Sequence, residues 1–492
     1  MKYFTSILLS LSLSFVAFAQ FPTDQAYQTF NSVTPALPSF NMTVDDTSVP
    51  ETMTIKQITE FVPAWNWYPT HEYSKIQPWN ADASVYKFYS VAIYNANTHQ
   101  KIRDLPGGAI YPSYWSNTNA AILYGFKEDG TIKTYNINTE AISTIGHIYF
   151  DDANQIAYDV VKLGPGEGNI DKNDQYVAFV AKKNTDMYVI TYNLQTNQVI
   201  HTELFAGAWG NSNDAPAYVD WVSVSQSGNY IGIMWNHNTT SQANPYNTHY
   251  GVEIYNTTDM QYLRRIASYG NHGDFGYAIN GDEVFVQFWG ETGTLNMYYL
   301  NGNGRVVLST NADFNSEGHV SCRNLNRPGY AYVSQDYADH SGQIVAFKLD
   351  NSGLVEHFGH HYSTSSSYLK SPMPCPNPNG DKVMFKSDFG DATAAVIYVF
   401  ETELSNTASV NDSSLAKFEI YPNPVKDILT VKTDDIIHNI HIYNTLGQKV
   451  KSIPFINDTS LALDVSNLKI GFYTLEVHLA NSTINRKIII QK

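Results

Sequence analysis

Seven stretches between residues 77 and 400 repeat one outline: a polar loop, a turn built on Asn, Asp or Gly, an apolar strand, then further strands. The leading strands start near Gln77-Pro78-Trp79-Asn80, Tyr111-Pro112-Ser113-Tyr114-Trp115, Gly168-Asn169-Ile170-Asp171 and Asp220-Trp221-Val222-Ser223. Three more start near His272-Gly273-Asp274-Phe275, His319-Val320-Ser321-Cys322 and Met373-Pro374-Cys375-Pro376. The units recur about 35 to 55 residues apart, and each has room for four short strands. A unit of that size cannot bury its own apolar face, but a radial stack of such units can. The repeat therefore predicts a seven-bladed β-propeller. A β-helix is the alternative, and its repeats would be shorter and more regular. The last unit holds about three strands before Phe400, so Thr54-Ile55-Lys56-Gln57-Ile58 is expected to supply the fourth and close the ring. No long helical periodicity interrupts the series, which argues against an α/β fold.

The ends of the chain read differently. Lys2, an apolar run from about Ile7 to Phe18, and Ala17-Phe18-Ala19 before Gln20 have the layout of a secretory signal peptide over residues 1–19. The run is too short to span a membrane, and no later stretch approaches the necessary length, so no transmembrane segment is expected. The propeller domain is expected over 20–401 and a Ser/Thr/Asn-rich linker over 402–414. From 415 to 492 come Phe418-Glu419-Ile420-Tyr421-Pro422-Asn423-Pro424-Val425, Leu429-Thr430-Val431, Ile442-Tyr443-Asn444-Thr445-Leu446-Gly447-Gln448-Lys449-Val450, Gly471-Phe472-Tyr473 and Arg486-Lys487-Ile488-Ile489-Ile490. Short alternating strands with Asn-Pro and Leu-Gly turns predict a small C-terminal β-sandwich, making the whole chain all-β. This ordered set of motifs resembles the C-terminal sorting domain of the type IX secretion system of Bacteroidetes. The resemblance implies engagement of that machinery, passage to the cell surface or beyond, and removal of the tail. A carbohydrate-binding sandwich is the rival reading of the tail.

Composition narrows the partners. Of 492 residues, 46 are acidic and 30 basic, yet the segment from Leu415 onward carries nine basic and seven acidic residues. The acidic excess thus belongs to the propeller, and a field of that sign opposes nucleic acid and anionic membranes. Aromatic residues make up 14% of the chain and 35 residues are Tyr, which suits both strands and the faces of sugar rings. Only Cys322 and Cys375 are present, so the domain stands on its core rather than on disulfides.

In a propeller the inner strands line a central channel, and residues at equivalent repeat positions converge there. Aligning repeats sets His272 opposite His319 and Cys322 opposite Cys375, on three successive blades. Imidazole and thiolate are the ligands zinc prefers, and three protein ligands leave a position open for chemistry. The expected centre is a divalent metal, zinc, on His272, His319 and Cys375, with Cys322 as a fourth candidate. A Cys322–Cys375 disulfide and buried unpaired thiols remain alternatives. A second cluster combines Tyr246, His249 and Tyr250 in a long loop with Arg264-Arg265 ahead of His272. An Arg can neutralise a carboxylate through paired hydrogen bonds, and Tyr or His can transfer protons. Solvated tyrosines and outer-strand arginines are the plainer reading.

The phrases His272-Gly273-Asp274-Phe275-Gly276-Tyr277, Gly318-His319-Val320-Ser321, Arg327-Pro328-Gly329-Tyr330, Asn377-Pro378-Asn379-Gly380-Asp381-Lys382 and Ser387-Asp388 are similar to those of secreted seven-bladed polysaccharide lyases. Ulvan lyases and, more remotely, oligogalacturonate lyases are the families concerned, over about residues 55–400. The resemblance implies β-elimination at a uronic acid of an acidic, ulvan-type polysaccharide. Arg264 or Arg265 would offset the carboxylate, and Tyr246 or His249 would move the proton. Oligogalacturonate lyases hold a metal with a closely spaced His pair in the last blade, where this chain has Met373 and Cys375. That departure argues against pectin, and His201 is only a weak counterpart of the upstream catalytic His of ulvan lyases. Two other classes stay open. One is a non-catalytic propeller that binds glycans or proteins at the cell surface. The other is a hydrolase with paired carboxylates facing the channel, for which Asp220 and Asp274 are candidates.

Overall fold

A computed structural model of the chain describes residues 21–60, 69–236, 248–289, 294–311, 314, 318–336, 342–393, 397–405, 419–444, 448–453, 458–479 and 483–491. The expected signal-peptide segment 1–19, most of the expected linker, and Tyr246 lie outside the described residues. The chain divides into two compact units, Met1–Ser405 and Asn406–Lys492.

The first unit is a seven-bladed β-propeller, and helix among its described residues is confined to short 3₁₀ turns. From the axis outward, blade 1 has Trp79 bridged to Val85–Phe88, then Ala92–Asn95 and Lys101–Asp104. Blade 2 comprises Ser113–Trp115, Ile122–Phe126, Thr131–Asn136 and Ile142–His147. Blade 3 comprises Val160–Leu163, Tyr176–Lys183, Asp186–Asn193 and Gln198–Phe205. Blade 4 runs through Val219–Val224, Tyr230–Trp235, Val252–Asn256 and Tyr262–Ala267, and blade 5 through Gly273–Tyr277, Glu283–Trp289, Thr294–Tyr299 and Arg305–Ser309. Blade 6 comprises Val320–Ser321, Tyr330–Ser334, Gln343–Lys348 and Leu354–His360, with Gln25–Ala26 added outside. Blade 7 comprises Cys375–Pro376, Lys382–Ser387 and Tyr398–Leu404.

The ring is closed by the N-terminal region. Met53–Gln57 pairs antiparallel with Tyr398–Leu404, in the register Met53 to Leu404 and Gln57 to Phe400, and Thr43–Asp46 adds a fifth strand outside it. The alternation of Met53, Ile55 and Gln57 with Thr54 and Lys56 decides the register, because the first set is buried and the second half-buried. Blades pack face to face through apolar side chains. Between blades 5 and 6, Val284, Val286, Phe288 and Met297 meet Val320, Val333, Val345 and Phe347, all essentially without solvent.

One inner edge departs from the sequence expectation. In blade 3 both Val160–Leu163 and Ile170 pair with Tyr176–Lys183, and a turn at Gly164–Gly166 separates them. Gly164 has φ +48°, and a Cβ there would lie 2.1 Å from the Val222 carbonyl oxygen of blade 4. Only glycine allows this approach, and the turn sets Glu167 at the end of the channel-facing edge.

The second unit is a single six-stranded sheet curled into a half-barrel, sandwich-like in section. Its long strand Ile428–Asn444 pairs with Glu419–Tyr421 and Asp458–Asp464 along its first part, and with Lys449–Ile453 and Gly471–Leu479 along its second. Thr483–Ile490 completes the sheet. Leu429, Val431, Ile440, Ile442, Leu475, Val477, Ile488 and Ile490 form its core.

Candidate functional site

The centre of the propeller is occupied by the strap of chain that precedes blade 1. Along Pro69–Pro78, His71 donates from Nε2 to the Met373 carbonyl (2.8 Å), and Ser74 Oγ donates to the Val320 carbonyl (3.0 Å). Gln77 Nε2 donates to the Arg323 and Pro376 carbonyls at 3.0 and 3.1 Å. Lys75 is paired with Glu167 at 2.8 Å and lies 4.1 Å over the Trp221 ring. The strap is therefore tied to the inner edges of blades 3, 4, 6 and 7. Short polar side chains here satisfy carbonyls on the inner edges that have no further strand to pair with.

The strap delivers Tyr73 into a cluster of rings. His272 and His319 stack with centroids 4.4 Å apart. Tyr73 stands edge-on to both, at 6.1 and 5.3 Å, and Tyr368 approaches the same pair at 5.9 and 5.6 Å. Each imidazole is oriented from behind. His272 Nδ1 donates to the Gly318 carbonyl (3.0 Å), and His319 Nδ1 donates to Asp336 (2.8 Å), which also accepts from Ser334 Oγ (2.8 Å). Burial and the neighbouring His319 push His272 down to about 4, so it is a neutral imidazole at ordinary pH with its Nε2 lone pair available. Burial, reinforced by Glu167, Tyr368 and Asp220, drives the Tyr73 hydroxyl well above its ordinary value. Tyr368 is pushed up to about 12, chiefly by burial, although half of its surface is exposed. Both tyrosines stay protonated.

Beside the cluster opens a cavity of about 300 Å³ walled by Tyr73, Tyr89, Tyr111, Tyr114, Tyr368 and Lys386. Lys386 is deeply buried, and burial brings its ammonium down to about 8 although Glu72 opposes the shift. Asp220, on the inner strand of blade 4, is accessible to water, yet loss of hydration, with a further contribution from Glu167, raises its carboxyl to about 6 although Lys75 opposes the shift.

The expected site residues fall into two separate places. His272 and His319 come together on the channel. Cys375 does not join them: among the described residues, the ligand atoms of these three do not lie within 4.8 Å of one another. Its thiol instead takes part in contacts with the Ile76 and Pro376 carbonyls and Ser321 Oγ, each 3.7 Å away. Burial raises both thiols, and Cys322 and Cys375 are both free and buried, not a disulfide. Cys375 is the repeat counterpart of Cys322, three residues farther along the inner strand than His319, and is fully buried against the strap and blade 6. The chemistry of the donor set supports only part of the zinc expectation. Two imidazoles, each held through Nδ1 by an outer acceptor, have the second-shell arrangement of metal ligands, and His319 Nε2 is buried without a hydrogen-bond partner. Among the described residues no third protein ligand joins this pair.

His249, Arg264 and Arg265 lie on the outer part of blade 4. His249 stacks on Trp235 at 4.7 Å and pairs with Glu253 at 2.8 Å. Arg265 pairs with Glu253 at 2.6 Å and covers the Tyr250 ring at 3.2 Å. Arg264 bonds to the Leu300 carbonyl. Both arginines belong to the outermost strand, and they line a groove of about 540 Å³ with Arg305. His201 is also on an outer strand, paired with Glu203 at 3.1 Å. Asp274 is committed elsewhere: Arg323 grips it with two bonds of 2.9 and 3.0 Å, and the Cys322 amide donates to it at 2.8 Å. Tyr73, Tyr368, Lys386 and Glu167 escaped sequence reasoning. Tyr73 precedes the first repeat and so has no equivalent to align.

Residues 419–491 match the family described as the secretion system C-terminal sorting domain. The tail is a type IX sorting domain. It marks the chain for export to the cell surface or the extracellular space. No curated protein matches the chain. Among solved structures, an oligogalacturonate lyase from Vibrio parahaemolyticus is 12% identical, with TM-score 0.48, over 74% of this chain and 97% of its own. A mitotic checkpoint complex chain is 9% identical, with TM-score 0.40, over 81% and 99%. At these values neither likeness carries an argument about activity. No helix among the described residues is long and apolar enough to cross a membrane.

Proposed function

We propose that this exported propeller is a polysaccharide lyase that cleaves a uronate-containing, ulvan-type polymer by β-elimination at the channel mouth. The observation that carries the reading is the convergence of a neutral imidazole, His272, with two protonated tyrosines, Tyr73 and Tyr368, beside a cavity holding Lys386. In β-elimination a base removes the proton on C5 of the uronate, the electron pair forms the C4–C5 double bond, and the C4–O bond breaks. The departing oxygen must receive a proton. His272 Nε2 supplies the base, the Tyr73 or Tyr368 hydroxyl supplies the proton, and Lys386 offsets charge developing on the carboxylate. The tyrosine wall offers faces against which sugar rings stack.

The test is a screen of uronate polymers, ulvan first, for the ultraviolet absorbance of unsaturated products. His272→Ala and Tyr73→Phe should each lower kcat by about a hundredfold or more, the usual contribution of an acid–base group. Arg265→Ala and His249→Ala should stay within severalfold of wild type. If the loss follows those blade 4 variants instead, the chemistry belongs with Tyr246, His249, Arg264 and Arg265. Binding without cleavage would leave a non-catalytic, glycan-binding propeller.

A second reading rests on Asp220. A carboxyl raised to about 6 beside Glu167 has the division of labour of a glycoside hydrolase pair. New reducing ends without ultraviolet absorbance would favour it.

A further inference from the structure

The sorting domain carries a cluster that the propeller chemistry does not use. His441 lies on the long strand Ile428–Asn444, and Glu476 and His478 lie on Gly471–Leu479. His441 is directly opposite Glu476 in the antiparallel register. His478 is two residues on, hence on the same face. That face is the outer one, because Ile440, Ile442, Leu475 and Val477 on the alternate positions are buried in the core. One ligand atom from each of the three side chains lies within 4.8 Å of the other two.

We propose that His441, Glu476 and His478 form a binding site for a divalent transition-metal ion of the zinc type. Two imidazoles and one carboxylate, with open positions left for water, are a donor set such ions accept. The surrounding groups orient the ligands. Ser452 Oγ lies 2.9 Å from His441 Nδ1, which leaves Nε2 for the ion, and Tyr443 donates to Glu476 Oε1 at 3.0 Å. The His478 Nε2 to Glu476 contact of 2.9 Å and the His441–His478 ring separation of 5.3 Å already gather the three groups into one half-buried patch. The ion would join two neighbouring strands and so clamp the middle of the sheet. It would also leave with the tail.

The experiment uses the full chain without an affinity tag, stripped by a chelator and titrated with zinc ions. Wild type should take up about one equivalent that both His441→Gln and His478→Gln weaken at least tenfold, and that His272→Ala leaves unchanged. These exposed-face replacements leave the core intact, and circular dichroism checks that the sheet is retained. Zinc should raise the melting temperature of the sorting domain in wild type and not in the variants, since an ion that binds only the folded form stabilises it. Failure of the stripped wild type to take up zinc at micromolar concentration would overturn the proposal. So would uptake that His272→Ala abolishes, or that the two Gln variants leave at the wild-type level.

Discussion

The proposed chemistry needs two side chains at the channel mouth in opposite protonation states. His272 must be unprotonated to accept a proton, and burial holds it neutral down to about pH 4. Lys386 must be charged to offset a carboxylate, and burial lets it discharge near pH 8. Activity as a lyase should therefore rise through about pH 4 and fall through about pH 8, and a pH profile of kcat/KM checks both limbs. Asp220 makes a separate prediction about stability. Its carboxyl is raised from an ordinary 3.8 to about 6, so the folded state binds the proton more tightly than the unfolded chain. The favourable contribution is present in full below pH 4 and is lost as pH climbs through 6. Asp220→Asn should raise the melting temperature at pH 7 to 8 and change it little at pH 4, as thermal melts across pH would register.

At the level of strands and turns, position is set by a few unforgiving contacts. Gly164 sits where a side chain would strike the Val222 carbonyl, in a backbone region that L residues rarely adopt. Gly164→Ala should lower the melting temperature and, by displacing Glu167, return the Asp220 carboxyl toward its ordinary value. The shift is readable by NMR titration of labelled carboxylates. Ile55 is fully buried on the closing strand of blade 7. Ile55→Ala should cost about 2–5 kcal/mol, measurable by denaturant unfolding. That closing strand was legible in sequence because Thr54–Ile58 alternates and the last repeat was short by one strand. The meeting of His272 and His319 was legible for the same reason, as both begin inner strands of neighbouring repeats. The strap at Pro69–Pro78 was not. Its side chains answer to carbonyls of blades 6 and 7, a carboxylate of blade 3 and an indole ring of blade 4, so nothing in its own pattern announces where it lies. Cys375 misled because repeat alignment pairs it with Cys322, three residues farther along the inner strand than His319, and so never placed it level with the histidines.

For the molecule as a whole, the chain is built as two separate units. Each has its own core, and the boundary falls at Ser405–Asn406. Protein recovered outside a host with the type IX machinery should lack the sorting domain, which intact mass settles. A chain ending at Ser405 and expressed alone should melt as the propeller does in the full chain and keep the proposed lyase activity. Loss of activity on removing the tail would make the sorting domain part of the working enzyme.

The closing of blade 7 has a consequence for how finished copies are told from unfinished ones. Val399 N bonds to Thr59 Oγ1 across 340 residues, and the inward edge of Met53–Gln57 pairs with Tyr398–Leu404. A product broken off before that point keeps an open flank of unpaired backbone, which invites proteases and self-association. Joining an early strand to the last therefore ties completion of the ring to the presence of its final blade. Only copies translated through the final blade can hide both loose edges.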